Sequence, residues 1–295
     1  MDTFRYAAPT TLEGALALLA GAPDAEPARR PALLAGGTDL LVQMRSGQRR
    51  PSAVVDLKRV PALARVELDD AGLSLGAAVP CVALRGRDDL RALWPGLLEA
   101  AALIGSLQIQ GRATVAGNLC NASPAADTVP SLLVLDAKAR IAGPRGAREL
   151  PVSAFCTGPG RHALAPDELV TSLFVPRPAP RAADAYLRFT PRAEMDIAVV
   201  GAAARVELDG DGTCRAARLA LGAVAERALL VPEAEAVLVG TRLGPADLER
   251  AAEVARSAAR PIDDKRGTAA FRRHVAGVLA RRALARATER ARARR

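Results

Sequence analysis

A chain of 295 residues is long enough for two or three packed domains, each with its own core. Only 3% of it is aromatic, so Ala, Leu and Val must build the interior, and the single Trp94 is expected to anchor little. The net charge of +9 is concentrated at the C-terminus, where Arg272–Arg295 holds nine arginines against one Glu. With only three lysines in the chain, this bias reads as a GC-rich coding sequence, and nucleic-acid binding is not expected. The Arg-rich tail, 286–295, is expected to be the solvated, fraying end of a helix.

No run of about eighteen apolar residues is present to form a membrane span. The N-terminus lacks the basic-then-apolar pattern of a secretory leader, so a cytoplasmic protein is expected. Cys81, Cys120, Cys156 and Cys214 are scattered, and His162 and His274 are the only histidines. No zinc or iron–sulfur ligand set is therefore expected, and the thiols are expected to be buried and reduced.

In chain order, Thr10 and Glu13 form a capping-box pattern ahead of a helix carrying Leu12, Leu16 and Leu19. Pro31–Ala35 and Ala53–Leu57 are short apolar strands. Arg65–Leu68 and Leu73–Gly76, split by Asp69-Asp70-Ala71-Gly72, predict a hairpin. A helix over Ala92–Ile104 precedes a polar, Gly-rich loop from Gly105 to Pro124, an apolar segment Val129–Ala137, and short strands up to Pro176. Pro176-Arg-Pro-Ala-Pro180 reads as a linker. Beyond it a second hairpin pattern, Ile197–Leu208 and Ala217–Val224, is followed by helices over Pro232–Val239 and Pro245–Ala259 and from about Lys265 onward. Strands and helices are segregated rather than alternating, which predicts an α+β fold.

Two glycine loops stand out. In Leu33-Leu34-Ala35-Gly36-Gly37-Thr38-Asp39-Leu40 a strand runs through two glycines into a helix carrying Leu40, Leu41 and Met44. Glycine permits a sharp turn and close backbone approach, and successive N–H groups at a helix start form an anion nest. Asp39 would repel a phosphate, so its side chain is expected to point away or cap the helix. The second segment, Gln108–Asp127, offers hydroxyl, amide and backbone donors at Thr114, Gly117, Asn118 and Ser123. Ser123-Pro124 reads as a helix start, and Asp127, one turn in, is placed to accept from sugar or ribityl hydroxyls. Taken singly, each loop is also what an ordinary strand–turn–helix or capped connection needs. Neither contains the glycine pattern of a Rossmann dinucleotide site or a P-loop.

Together, Ala35–Leu41 and Thr114–Asp127 resemble the AGGTDLL-like and TxGGNxxxxSPxxD-like loops of the FAD-binding subunits of the xanthine dehydrogenase and carbon monoxide dehydrogenase family. Phe155-Cys-Thr-Gly-Pro-Gly160, Tyr186-Leu-Arg-Phe189, Asp196-Ile-Ala198, Leu221–Val224 and Pro261–Asp264 follow in family order, so the resemblance covers nearly the whole chain. It implies a PCMH-type FAD-binding fold with subdomains 1–60 and 61–178, then a CO-dehydrogenase-flavoprotein-like α+β domain over 182–285.

The resemblance also implies a site. Leu33–Leu40 and Thr114, Val115, Ala116, Gly117 and Asn118 would hold the FAD pyrophosphate, with Ile104 near the flavin or adenine, and Ser123 and Asp127 on hydroxyls. Tyr186 would lie against the isoalloxazine, the alternative being a core aromatic. Arg188 stands where relatives carry Lys and would stabilise reduced flavin. Two departures weaken the second loop: Gln110-Gly111 replaces Arg-Asn and removes a phosphate or partner contact, and Ala116 replaces a glycine, where its methyl group would restrict positive φ and close approach to phosphate. FAD is therefore expected to bind, but less tightly.

The implied function is an electron relay. A [2Fe–2S] small subunit would deliver electrons from a molybdopterin-binding large subunit to FAD, which passes them to an external acceptor. A dimer of heterotrimers is implied, and neither a catalytic residue nor a metal is required of this chain. The alternatives are a self-contained flavin oxidoreductase of the same fold and a cofactor-free basic nucleic-acid binder.

Overall fold

The structure, a computed structural model, describes residues 3–20, 26 and 29–294. Arg295 of the tail and Met1-Asp2 lie outside the described residues. The chain opens with β1 (Arg5–Ala7), α1 (Leu12–Ala20), β2 (Ala32–Leu34), α2 (Leu40–Arg45) and β3 (Ala53–Asp56). The three strands form a parallel sheet in the order β1-β3-β2. Every residue of β3 is buried because helices cover both its faces. Val54 packs with Leu40 and Met44, and Val55 with Ala15 and Leu19. The α1 cap is Thr11 rather than the expected Thr10: its Oγ1 accepts from Gly14 N at 3.1 Å.

The chain continues through β4 (Val66–Leu68), β5 (Gly72–Gly76), α3 (Asp88–Leu93), α4 (Pro95–Ala102), α5 (Leu107–Gln110), α6 (Val115–Cys120) and α7 (Thr128–Val134). Next come β6 (Lys138–Gly143), β7 (Gly146–Pro151), α8 (Val152–Phe155), the hairpin of β8 (Cys156–Gly158) and β9 (Arg161–His162), and β10 (Leu169–Pro176). A five-stranded antiparallel sheet, ordered β4-β5-β10-β6-β7, carries the helices on one side of its core.

Three expectations need correction here. The stretch 105–124 is not an open loop, since it folds into α5 and α6, each opened by a side-chain cap, Ser106 and Thr114. Ser123-Pro124 does not start a helix. Ser123 Oγ instead accepts from Ala125 N at 3.2 Å in a turn, and α7 begins at Thr128. Trp94 is fully buried and its Nε1 donates to Pro176 O at 3.1 Å, so it ties the α3–α4 junction to the end of β10.

The last part is a four-stranded antiparallel meander of β11 (Ala182–Phe189), β12 (Val200–Leu208), β13 (Cys214–Gly222) and β14 (Leu229–Leu230). It is followed by α9 (Pro232–Leu238), α10 (Pro245–Ala258) and α11 (Ala269–Ala293). Helices cover both faces of this sheet. Ala202, Ala204 and Val206 of β12 face the α10–α11 side, whereas Ala203 and Tyr186 join the core that contains α4 and α7. Small alanines let helices approach from both directions, which is why an interior poor in aromatics packs here.

The Arg-rich tail does not fray. Thr268 caps α11, and apolar residues recur at Val275, Ala276, Leu279, Ala280, Ala283, Leu284, Ala287 and Ala291, all buried. Arg290 pairs with Glu99, and Arg294 donates to the carbonyls of Ala182, Ala92 and Leu93. Among the described residues of the tail, the charges of Arg286, Arg290, Arg292 and Arg294 are thus engaged within the molecule. Among the described residues no helix is long and apolar enough to cross a membrane. The four thiols are free, with Cys81, Cys156 and Cys214 buried.

Candidate functional site

The first glycine loop bridges β2 and α2. Gly37 has φ +79°, a left-handed conformation that favours glycine. Gly36 is held by proximity instead: a Cβ there would lie 2.3 Å from Arg112 O and 2.9 Å from Ala113 Cα. The N–H groups of Gly36, Gly37, Thr38 and Asp39 donate to no backbone group among the described residues. Asp39 does not cap α2, and desolvation raises its carboxyl above the ordinary value. Leu40 is buried in the core below and Leu34 packs partly against it, Leu33 packs partly against the core around Val55, and the Leu34 side chain also lies against Gly37 of the loop.

The loop has a brace that the sequence did not reveal. Lys58 Nζ donates to Ala35 O at 3.2 Å and to Asp56 Oδ1 at 2.6 Å, while Tyr6 OH donates to Asp56 Oδ2 at 2.6 Å. Burial pushes the Asp56 carboxyl up, but the bonds from Lys58 and Tyr6 outweigh it and hold the group below its ordinary value.

Contact at Gly36 brings the second loop against the first. Thr114 Oγ1 accepts from Gly117 N at 2.8 Å and opens α6. The N–H groups of Val115 and Ala116, in its first turn, have no partner among the described residues. Ala116 is helical and buried, so the expected restriction on positive φ does not arise. Gln110, at the other departure, is a brace: its Nε2 donates to Ala102 O at 2.7 Å and Ile104 O at 3.2 Å. Gln43 Nε2 of α2 donates to Asn121 Oδ1 at 2.9 Å, a second tie between the loops. Asn118 Oδ1 accepts from Thr128 N and Oγ1, fixing α6 to α7.

Ile104 ends the α4 segment, almost fully buried. The following Gly105 carbonyl accepts from Met195 N at 3.5 Å, so the β11–β12 connection reaches this turn. Leu107, Met195 and Ile197 leave about half of their surface exposed near it.

Asp127, Tyr186 and Arg188 form one buried cluster. Tyr186 OH donates to Asp127 Oδ1 at 3.0 Å and Arg188 Nη1 to Oδ2 at 2.8 Å. Burial raises the Asp127 carboxyl to about 6, opposed by Arg188 and Tyr186. Tyr186 is 2% exposed, a core aromatic with its phenol on the site side. It fits because Gly201 faces it, where a Cβ would lie 2.6 Å from its hydroxyl. Two further residues outside the sequence motifs serve this region. Glu99 Oε2 accepts from Tyr186 N at 3.0 Å. Arg272, 4% exposed, donates to Val199 O and Ala223 O, while Ala223 N donates to Pro124 O. Only the folded chain brings these long-range partners together.

The arrangement suits a dinucleotide. Two adjoining sets of unengaged N–H groups match a pyrophosphate, and a tight cradle that a Cβ would fill lets the backbone approach it. A buried carboxylate with its cation lies within the same unit.

Comparison with known proteins agrees. Residues 2–178 match the FAD binding domain in molybdopterin dehydrogenase, and residues 185–287 match the CO dehydrogenase flavoprotein C-terminal domain. The chain is 33% identical over 288 residues to the putative xanthine dehydrogenase FAD-binding subunit of Escherichia coli (strain K12), covering 97% of this chain and 96% of that one. It is 34% identical over 290 residues to the carbon monoxide dehydrogenase medium chain of Afipia carboxidovorans, covering 98% of both. A solved carbon monoxide dehydrogenase from Hydrogenophaga pseudoflava superposes with a TM-score of 0.92 at 30% identity, over 98% of each chain. The two glycine loops, their contact and these matches together establish that the chain belongs to the xanthine dehydrogenase/CO dehydrogenase family of molybdenum hydroxylase FAD-binding subunits, as an electron-transfer component with FAD as its cofactor.

Proposed function

We propose that FAD lies across the junction of the two glycine loops and that this chain relays electrons from a [2Fe–2S] subunit to an external acceptor. The observation carrying this reading is the contact of Gly36 with Arg112 and Ala113, which sets the unengaged N–H groups of both loops side by side. In this reading the backbone of Leu33–Leu40 and of Thr114–Asn118 holds the pyrophosphate. Ile104 packs on a ring, Ser123 faces the sugar hydroxyls, and Asp127 accepts from a hydroxyl with the part of its carboxylate left by Tyr186 and Arg188. FAD when bound supplies the redox chemistry; the chain supplies position, charge and exclusion of water. Arg188 is already paired with Asp127, so the pair acts on the flavin as a near-neutral dipole rather than a free cation.

The substrate reaction belongs, in this reading, to a molybdopterin-binding large subunit, with the three chains assembling as a dimer of heterotrimers in the cytoplasm. The test is purification of the chain alone, with its visible spectrum recorded and the heat-released cofactor identified by mass. Bound FAD without turnover, and turnover only on addition of the two partner subunits, is the expected result. Turnover by the chain alone would identify a self-contained flavin oxidoreductase instead. A colourless chain that refuses added FAD would overturn the proposed site.

A further inference from the structure

The edge of β11 is closed by side chains from distant parts of the chain. Antiparallel pairing with β12 uses one set of its backbone groups and leaves those of Ala182, Asp184 and Tyr186 pointing outward. Tyr186 N donates to Glu99 Oε2 at 3.0 Å. Arg290 donates to Asp184 O at 2.9 Å and to Glu99 Oε2 at 3.2 Å, and also reaches Glu99 Oε1. Arg286 lies 3.6 Å from the same carboxylate. Asp184, 1% exposed, turns the other way and accepts from Leu97 N at 3.0 Å, serving as the cap that α4 lacks locally. Gly96 permits this approach, since a Cβ there would lie 2.7 Å from Ala185 N.

Glu99 is therefore the point at which α4, β11 and α11 meet, one residue's length from the Asp127 cluster. Its carboxylate holds the Tyr186 N–H, and the Tyr186 ring is buried against Gly201, so the position of the phenol on Asp127 depends on that backbone anchor. We propose that Glu99, held by Arg290, is a positioning residue for the flavin site: it sets the Tyr186 hydroxyl on Asp127 and so the share of that carboxylate left for Arg188 and the cofactor. This rests on the reading that Asp127 faces FAD. The titratable and charged groups facing Asp127 are Tyr186 and Arg188, both on β11.

Only two tyrosines are present, which makes the idea directly measurable. In the full chain labelled with [13Cζ]tyrosine, the NMR signal that persists in Tyr6→Phe is assigned to Tyr186; followed in the parent with Tyr6 intact, it reports the Tyr186 hydroxyl, and its pH titration reports Asp127. Glu99→Ala is expected to displace that signal and to move the titration midpoint upward by at least about half a pH unit, because a bond that favours the ionised carboxylate is weakened. Glu99→Gln, whose amide oxygen still accepts from Tyr186 N, is expected to restore most of the parent signal. Arg290→Met, which removes the clamp on Glu99 together with the bond to Asp184 O but leaves Glu99 itself, is expected to fall between and serves if Glu99→Ala does not fold. A purely structural role would lower stability and leave the midpoint in place, and an unchanged signal and midpoint in Glu99→Ala or Arg290→Met would overturn the proposal. Repeating the titration with FAD separates the two levels. A Glu99-dependent signal that FAD does not perturb would uphold the positioning and sink the placement of FAD at Asp127.

Discussion

Replacing Gly36 with Ala tests the junction of the two loops at its tightest point. Gly36 does not have a left-handed φ, so alanine brings no backbone strain of that kind and the perturbation is steric. Its Cβ would lie 2.3 Å from Arg112 O and 2.7 Å from Arg112 C, both backbone atoms that cannot rotate away. Relief requires the loops to part by most of an ångström, at an overpacking cost of about 1–3 kcal/mol. The same displacement pulls the N–H groups of Gly36 and Gly37 off any phosphate they serve. Hydrogen bonds to a charged group are worth about 1.5–3 kcal/mol each, so loss of one weakens FAD by about tenfold to a hundredfold. Titration of the apo-chain with FAD, followed by flavin fluorescence, reads this directly. Gly210→Ala in the β12–β13 turn, where nothing lies within 4 Å of the added methyl, is the matched control and is expected to bind as the parent does. Parent-like affinity and stability in Gly36→Ala would refute the claim that this contact forms the cofactor cradle.

Three further outcomes are expected. Lys58→Met removes the bond to Ala35 O and uncovers Asp56, which is expected to weaken FAD several-fold and to cost about 1.5–3 kcal/mol in denaturant titration; unchanged FAD affinity would remove the brace from the site. Trp94→Phe leaves the half-buried Pro176 O without its side-chain donor, a loss of about 0.5–1.5 kcal/mol read by chemical denaturation with FAD affinity nearly intact. The third concerns pH. Burial raises Asp127 to about 6, against about 3.9 for an unfolded aspartate, so between those values the native state holds the extra proton. The group therefore destabilises the protein above pH 6, by about 3 kcal/mol at most, and this penalty fades as pH falls toward 4. Glu168, held near 2 by Arg148, acts in the opposite sense but only below about 4.3. Burial lowers His162, which opposes the trend inside the window, so the decisive quantity is a difference. The gain in stability of the parent from pH 7 to pH 5 is expected to exceed that of Asp127→Asn, and an equal gain in both would refute the assignment.

What was legible in the sequence follows physical range. The glycine loops could be read because a left-handed turn at Gly37 and a close approach at Gly36 constrain the local residue type. The strands Ala53–Asp56 and Val66–Leu68 could be read because burial alternates or saturates over neighbouring residues. Failures came where two local rules competed or where the partner was distant. Thr10 and Thr11 both offer a cap hydroxyl, and only the backbone path selects Thr11. Ser123-Pro124 has the chemistry of a helix start, yet Ser123 closes a turn on Ala125 instead. The arginines at the end of the chain look solvated because their acceptors, Glu99 for Arg290 and the carbonyls of Ala182, Ala92 and Leu93 for Arg294, lie more than a hundred residues away.

The distribution of those distant contacts ties the C-terminal domain to the FAD-binding part. The glycine loops and Asp127 lie within residues 2–178, the segment that matches the FAD-binding family. The groups that engage the Asp127 carboxylate, Tyr186 and Arg188, come from β11, and Pro124 O is held by Ala223 at the end of β13. Arg272 at the start of α11 in turn binds the Ala223 carbonyl, and Arg290 near its end binds the carboxylate that holds Tyr186. One helix thus holds the β11 edge of the sheet through Arg290 and the adjoining ends of β12 and β13 through Arg272. Over its 25 residues α11 therefore reaches both sides of the Asp127 region, the Pro124 turn through Ala223 and the Tyr186 backbone through Glu99, and neither link lies within the segment that carries the glycine loops alone.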